Sequence, residues 1–132
     1  MKDIYVVNCC RTAVGSFGGS LKDTPAAEMG AVVVKEALNR AGVKPEQVDE
    51  VMFGCILTAG LGQNVARQVA IKAGLPVEVP AYTVGMVCGS GMKSVIEAAR
   101  AICAGDADII VAGGTENMSA CLLYTSPSPR DS

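Results

Sequence analysis

The spacing of apolar residues along the chain switches repeatedly between a period of two and a period near 3.6, which predicts strands and helices in alternation. Ile4-Tyr5-Val6-Val7 is β-branched and aromatic and predicts a first strand, running into Arg11-Thr12-Ala13 and a loop over Gly15 to Gly19. Thr24 is placed to cap a helix with Pro25 at its first position, and Ala26, Met29, Gly30, Val33 and Ala37 then share one face until Gly42 stops it. After the Lys44-Pro45-Glu46 turn, Val51 to Leu57 predicts a second strand and Asn64 to Ala73 a second helix, closed by Gly74 and Pro76. Tyr82-Thr83-Val84 opens a third strand that leads into Cys88-Gly89-Ser90-Gly91. Met92, Val95, Ile96, Ala99 and Cys103 follow at helical spacing up to Gly105. Ile109 to Ala112 predicts a fourth strand, broken by Gly113-Gly114. Strands alternating with helices point to an α/β layer structure.

Composition narrows the picture. With 132 residues, half of them hydrophobic, the chain has material for one domain with a core. Aromatics are 4% and Trp is absent, while Gly and Ala are abundant, which suits close helix-on-sheet packing. The net charge is −2 with no run of Lys or Arg, so neither nucleic acid nor a membrane is expected as a partner. No basic segment leads into a long apolar run, and no window reaches the roughly 18 apolar residues of a spanning helix, so the cytoplasm is the expected location. The six Cys (9, 10, 55, 88, 103 and 121) form no Cys-x-x-Cys pair, and the chain has no His. Free thiols are expected, most of them small buried hydrophobes, and no metal site.

One thiol stands apart. A strand that delivers Cys88 into a glycine-rich turn followed at once by a helix places it where unpaired N–H groups and the helix dipole favour negative charge. Gly89 and Gly91 clear the approach, so a thioester carbonyl could come near the sulfur and the Cys88 N–H. From the residues alone two readings stand, a nucleophile or a tight packing turn. Other motifs fail here. A dinucleotide fingerprint starting at Gly89 would need Gly or Ala where Ser94 stands, a serine elbow at Ser90 would need Gly where Cys88 stands, and Gly15 to Gly19 lacks the Gly-Lys-Ser/Thr ending of a phosphate loop.

The run Thr83 to Ser94 resembles the acyl-enzyme cysteine signature of thiolases, and Ala112-Gly113-Gly114-Thr115-Glu116-Asn117-Met118-Ser119 resembles their second N-terminal signature. Arg11-Thr12-Ala13 with Phe17-Gly18-Gly19, and Gly62 to Gln68, are similar to thiolase sequence as well, so the likeness spans Lys2 to Ser119. One departure is Gly85, where the family pattern usually has Asn three residues before the cysteine. The resemblance implies the N-terminal half of an α/β thiolase fold, a mixed sheet with the Cys88 helix buried in the middle and other helices covering the faces. It implies Cys88 as the catalytic nucleophile, coenzyme A thioesters as substrates with no further cofactor, and a homo-oligomeric full-length protein. The reaction implied is condensation of two acetyl-CoA to acetoacetyl-CoA, or its reverse. The alternatives are a degradative 3-ketoacyl-CoA thiolase and a non-catalytic half-domain that pairs with another chain. In thiolases the activating His and a second, acid/base Cys come from the C-terminal half, so this chain is expected to be a fragment without turnover and with apolar surface left uncovered.

Residues 1–119 are therefore expected to form the thiolase N-terminal domain, and 120–132 a non-native tail. From Cys121 the sequence fits neither a helix nor a strand and carries Pro127 and Pro129, and one back-translation of Cys121 to Ser126 resembles the end of a transposon-type sequencing adapter.

Overall fold

A computed structural model describes residues 2–120; of the expected tail over 120–132 only Ala120 is among them, and the rest, from Cys121 on, lies outside the described residues. Its elements run α1 (Ala26–Ala41), β1 (Glu50–Gly54), α2 (Val65–Lys72), β2 (Ala81–Val84), α3 (Ser90–Ala104) and β3 (Ile110–Gly114), with a short 3-10 turn at Pro45–Gln47. The sheet order is β2-β1-β3, and both pairs are parallel, Val51 to Gly54 facing Ala81 to Val84 and Glu50 to Gly54 facing Ile110 to Gly114. A helical crossover joins each strand to the next, which is the connection parallel neighbours require. The described sheet is thus parallel rather than mixed.

Pleating sorts β1 between the two faces of the sheet. Val51, Phe53 and Cys55 enter a core with Ala27, Ala31, Val34 and Leu38 of α1 and Val65, Ala66, Val69 and Ala70 of α2. Phe53 is the largest fully buried side chain, and two glycines make room for its ring. A Cβ on Gly30 would lie 3.1 Å from the ring and 2.7 Å from Val69, and one on Gly113 would lie 2.9 Å from it. Gly113 and Gly114 do not end β3: they pair with Phe53 and Gly54 of β1 and stay in the strand. On the other face, α3 packs against β1 and β3.

Three features depart from the hydrophobic pattern. Ile4 to Val7 belong to no strand, and Tyr5, Val6 and Val7 are largely exposed. Their residues favour extended backbone, but a strand needs a neighbour's ladder and the described residues offer none there. In α1, Ala26 and Gly30 are buried as expected and Val33 packs half-buried against the core, yet the fully buried face continues through Ala27, Ala31, Val34 and Leu38 rather than Met29 and Ala37. The helix is apolar on both sides, so packing chose between them. In α3 the expected core stripe is reversed: Ser90, Ser94 and Ala98 are buried, while Met92, Val95 and Ile96 are exposed. This helix covers one face of the sheet and is not enclosed by the described residues.

Its closeness to the sheet explains the reversal. A Cβ on Gly54 would lie 2.5 Å from the Ser90 carbonyl carbon and 2.6 Å from the Gly91 nitrogen, and one on Gly114 would lie 3.2 Å from the Gly91 Cα. Nothing larger than Ser or Ala fits under α3 at that separation. The C-terminal ends of α1 and α3 follow the expected signals, with Gly42 and Gly105 in the left-handed region. The N-terminal ends differ: Thr24 does not cap α1, where Pro25 holds the cap position without a side-chain bond, and Asn64, expected inside α2, instead caps it by accepting from the Arg67 N–H.

The packing sets a direct test. Gly54→Ala is expected to destabilise the chain by about 3 kcal/mol, since its Cβ meets immobile backbone. Gly85→Ala, whose Cβ would sit 3.6 Å from Ile56, is expected to stabilise it by about 0.5 kcal/mol through the unfolded state. Urea denaturation midpoints of the two variants read both effects, and equal shifts would contradict the close helix-sheet contact.

Candidate active site

The carboxyl ends of all three strands converge on one side of the sheet, and the chain reverses its direction across the sheet between β1 and β3. In open α/β sheets this is where ligands bind. An open cleft of about 550 Å³ occupies the place, walled by Ile56 and Leu57 beyond β1, Val87 and Cys88 beyond β2, and Thr115 and Glu116 beyond β3.

Cys88 reaches this cleft through a strained turn. Val87 has φ +47°, a conformation that a β-branched residue seldom adopts. The turn survives because its polar groups are paired. The Gly89 N–H donates to the Met86 carbonyl (3.0 Å) and the Ser90 N–H to the Val87 carbonyl (3.2 Å). The buried Ser90 hydroxyl accepts from the Met86 N–H and donates to the Val87 carbonyl, both at 2.7 Å. Cys88 is exposed, two residues ahead of the first residue of α3, and free of any disulfide. Gly85 takes no part in these bonds, and a Cβ there would make only ordinary contact with Ile56, so the turn forms without Asn at this position.

Ser94, fully buried one turn into α3, anchors the helix. Its hydroxyl lies 2.6 Å from the Gly91 carbonyl and 2.9 Å from the Gly113 carbonyl, so one proton is shared between helix and sheet. Sequence reasoning singled out Cys88 but missed Ser90 and Ser94; the signal was a small polar residue at the first and fifth helical positions, where a core stripe would be apolar.

The residues after β3 hold the surrounding loops. Thr115 donates its hydroxyl to the Ala26 carbonyl at 2.7 Å. Asn117, buried, directs its amide at the carbonyls of Leu21, Lys22 and Thr24 and accepts from the Ala120 N–H. Ser119 accepts from the Gly18 N–H across 101 residues of sequence. Likewise Asn64, Thr83 and the Ala66 N–H form a chain of hydrogen bonds that seals α2 to β2, and Arg67 donates to the Val77 and Val79 carbonyls. The motifs around Cys88 are thus mainly scaffolding.

The other thiols differ from Cys88 in setting. Cys55 is buried, and burial first, then the hydrogen bond it donates to Glu116 and the charge there, pushes it up to about 12. Cys10 donates to the Val33 carbonyl, and Cys9 and Cys103 are exposed. Among the described residues no three His, Cys, Asp or Glu side chains converge as a metal site, and no helix is long and apolar enough to cross a membrane.

Residues 4–132 match the family model of the thiolase N-terminal domain. Acetyl-CoA acetyltransferase of Cupriavidus necator is 64% identical over 131 residues, which cover 99% of this chain and 33% of that protein. The cytosolic acetyl-CoA acetyltransferase of Mus musculus is 54% identical over 116 residues, 88% of this chain and 29% of that protein. A crystal structure of an Ascaris suum thiolase in complex with coenzyme A shares the fold with a TM-score of 0.91 at 38% identity, over 96% of this chain and 33% of that one. The chain spans about a third of the length of the curated relatives it matches.

Peptide-resolved alkylation with iodoacetamide across pH tests the ranking of thiols. Cys88 is expected to label fastest, ahead of Cys103 at the opposite end of the helix dipole. Cys55, raised from an ordinary 9.0 to about 12, keeps its proton at neutral pH and is expected to label only as pH climbs toward that value. The sign for stability follows: the native state holds this proton more tightly than the unfolded chain, so the contribution is complete below about 9 and is lost as pH rises toward 12. Uniform labelling, or labelling that peaks at Cys55, would contradict the described site.

Asn117→Asp offers a second check. It replaces an amide donor facing three carbonyls with an acceptor and is expected to cost about 2–3 kcal/mol in urea denaturation at pH 7. Wild-type stability would show that these contacts do not hold the loop.

Proposed function

The chain belongs to the thiolase family, and on that premise we propose that it is the N-terminal part of an acetyl-CoA acetyltransferase in which Cys88 carries the acetyl group between two coenzyme A thioesters. The observation that supports this most directly is the placement of Cys88, exposed in the cleft at the carboxyl ends of all three strands and just ahead of α3. The Cys88 thiolate attacks the acetyl-CoA carbonyl, the S-acetyl bond forms on the protein, and coenzyme A leaves as the thiolate. A second acetyl-CoA, having lost a proton from its methyl carbon, then attacks the acetyl-cysteine carbonyl. A carbon–carbon bond forms, the Cys88 sulfur departs with its electron pair, and acetoacetyl-CoA is released.

The second step needs a base to take the methyl proton. The chain contains no His. The carboxylate in the cleft, Glu116, has both oxygens engaged, one by the Ile56 N–H and the other by the Leu57 N–H and the Cys55 thiol. The 132-residue chain by itself is therefore assigned the first half-reaction and not the condensation. The names of the relatives favour acetyl transfer over a degradative, longer-chain thiolysis, and the word cytosolic in one of them favours the cytoplasm. The exposed apolar row Met92, Val95 and Ile96 supports assembly with further protein, including a homo-oligomer of the full-length enzyme.

Incubating the purified chain with acetyl-CoA and mapping the product by mass spectrometry tests this reading. An acetyl group on the Cys88 peptide with release of one coenzyme A, abolished in Cys88→Ala and unaccompanied by acetoacetyl-CoA, is the expected result. Acetylation confined to other residues would remove Cys88 from the role, and acetoacetyl-CoA formed by the chain alone would show that the base lies within it.

A further inference from the structure

The geometry points to Glu116 as a positioning residue that holds the wall facing Cys88: its carboxylate clamps Cys55, Ile56 and Leu57 and thereby sets how wide a group the cleft admits to the thiol. The inference rests on the reading of Cys88 as the reacting thiol.

The clamp begins where the sheet stops. β1 and β3 end in register at Gly54 and Gly114, and the Thr115 N–H still donates to the Gly54 carbonyl at 2.9 Å. Beyond that rung the ladder is replaced by a side chain. Glu116 Oε1 accepts from the Ile56 N–H at 3.0 Å, and Oε2 accepts from the Leu57 N–H at 3.2 Å and the Cys55 Sγ–H at 3.2 Å. Successive N–H groups of a strand point to opposite edges, so two in a row aimed at one carboxylate end β1 as a strand. This is the physical reason Cys55 to Leu57 are not in β1 although their apolar character predicted it.

The consequence for the cleft follows from what each end of the clamp touches. Ile56, Leu57, Cys88 and Glu116 line the same cleft, and Glu116 also borders the 380 Å³ cavity under the Arg11 to Phe17 segment. Gly54, directly before the clamped residues, is packed on Ser90 and Gly91, so the backbone there is held from the α3 side as well. The segment 55–57 is thus fixed at Gly54 by packing, at the Cys55 N–H by the Val84 carbonyl of β2 (3.2 Å), and at Ile56 and Leu57 by the charge-assisted hydrogen bonds of Glu116, and the last of these involve no rung of the sheet. Without them, two half-buried apolar side chains and their freed N–H groups move as a loop, and the wall opposite the thiol opens.

Two measurements on the 132-residue chain decide the matter. Amide exchange at Ile56 and Leu57, read against Met52 and Phe53 in β1, reports the clamp. The ratio of fluorescein-maleimide to iodoacetamide labelling at Cys88, with Cys103 on the same helix as control, reports the width of the cleft. In Glu116→Ala, exchange at Ile56 and Leu57 is expected to quicken about tenfold, the loss of a hydrogen bond to a charged acceptor, with Met52 and Phe53 unchanged. The bulky-to-small ratio is expected to rise at Cys88 and to stay constant at Cys103. Glu116→Gln, which keeps one oxygen, is expected to lie between, and it carries the test if the Ala variant fails to fold. Unchanged exchange at Ile56 and Leu57 in the folded variants, or an unchanged ratio at Cys88, overturns the inference. Lack of acetyl-Cys88 in the wild-type chain would bear on the catalytic reading and leave this result standing.

Discussion

Everything at the site depends on how closely the first turn of α3 lies on the ends of β1 and β3. Gly54, Gly91 and Gly114 bring backbone against backbone there, with no side chain between. A helix one side chain further from the sheet would carry the Met86–Ser90 turn outward, and Cys88 would no longer share a cleft with Leu57 and Glu116. Burying peptide groups this tightly requires that each be paired, and Ser90 and Ser94 meet that requirement with hydroxyls small enough to fit. The close approach and the buried serines are one device.

The polar run after β3 extends the same logic outward. Thr115, Glu116, Asn117 and Ser119 each bond a different segment, at Ala26, at 55–57, at 21–24 and at Gly18. Each such bond contributes on the order of 1 kcal/mol net, but leaving one buried partner unpaired costs more than making it gains. The arrangement therefore specifies the loop positions more than it raises stability. It also lets chain segments with little core of their own take defined places around the cleft.

The apolar surface left exposed is distributed with a direction. Met92, Val95 and Ile96 on the outside of α3, Val87 beside Cys88, and Tyr5 to Val7 in the N-terminal segment are all well exposed, whereas the core around Phe53 is sealed. The layer built from α1, α2 and the sheet is closed by its own residues. The layer containing Cys88 shows apolar side chains to solvent.

Much of the architecture was legible before any coordinates. Helix limits at Gly42 and Gly105, strands beginning near Val51 and Tyr82, a helix in 64–73, and the strand–turn–helix around Cys88 all followed from local rules, because glycine conformations and periodicity act within a few residues. What failed were choices that sequence leaves degenerate. Ile4 to Val7 have the residues of a strand, yet a strand exists only where a neighbour's N–H and C=O groups meet it. Helices α1 and α3 each present two plausible inner faces, and in α3 the smaller side chains won because the sheet allowed nothing larger. Gly113 and Gly114 look like a break and are strand, paired with Phe53 and Gly54 of β1. The sequence by itself determined the three helices, the approximate starts of the three strands and which thiol stands ahead of a helix. Only the tertiary structure decided which faces are buried and what surrounds that thiol, because those depend on distances between atoms far apart in the chain.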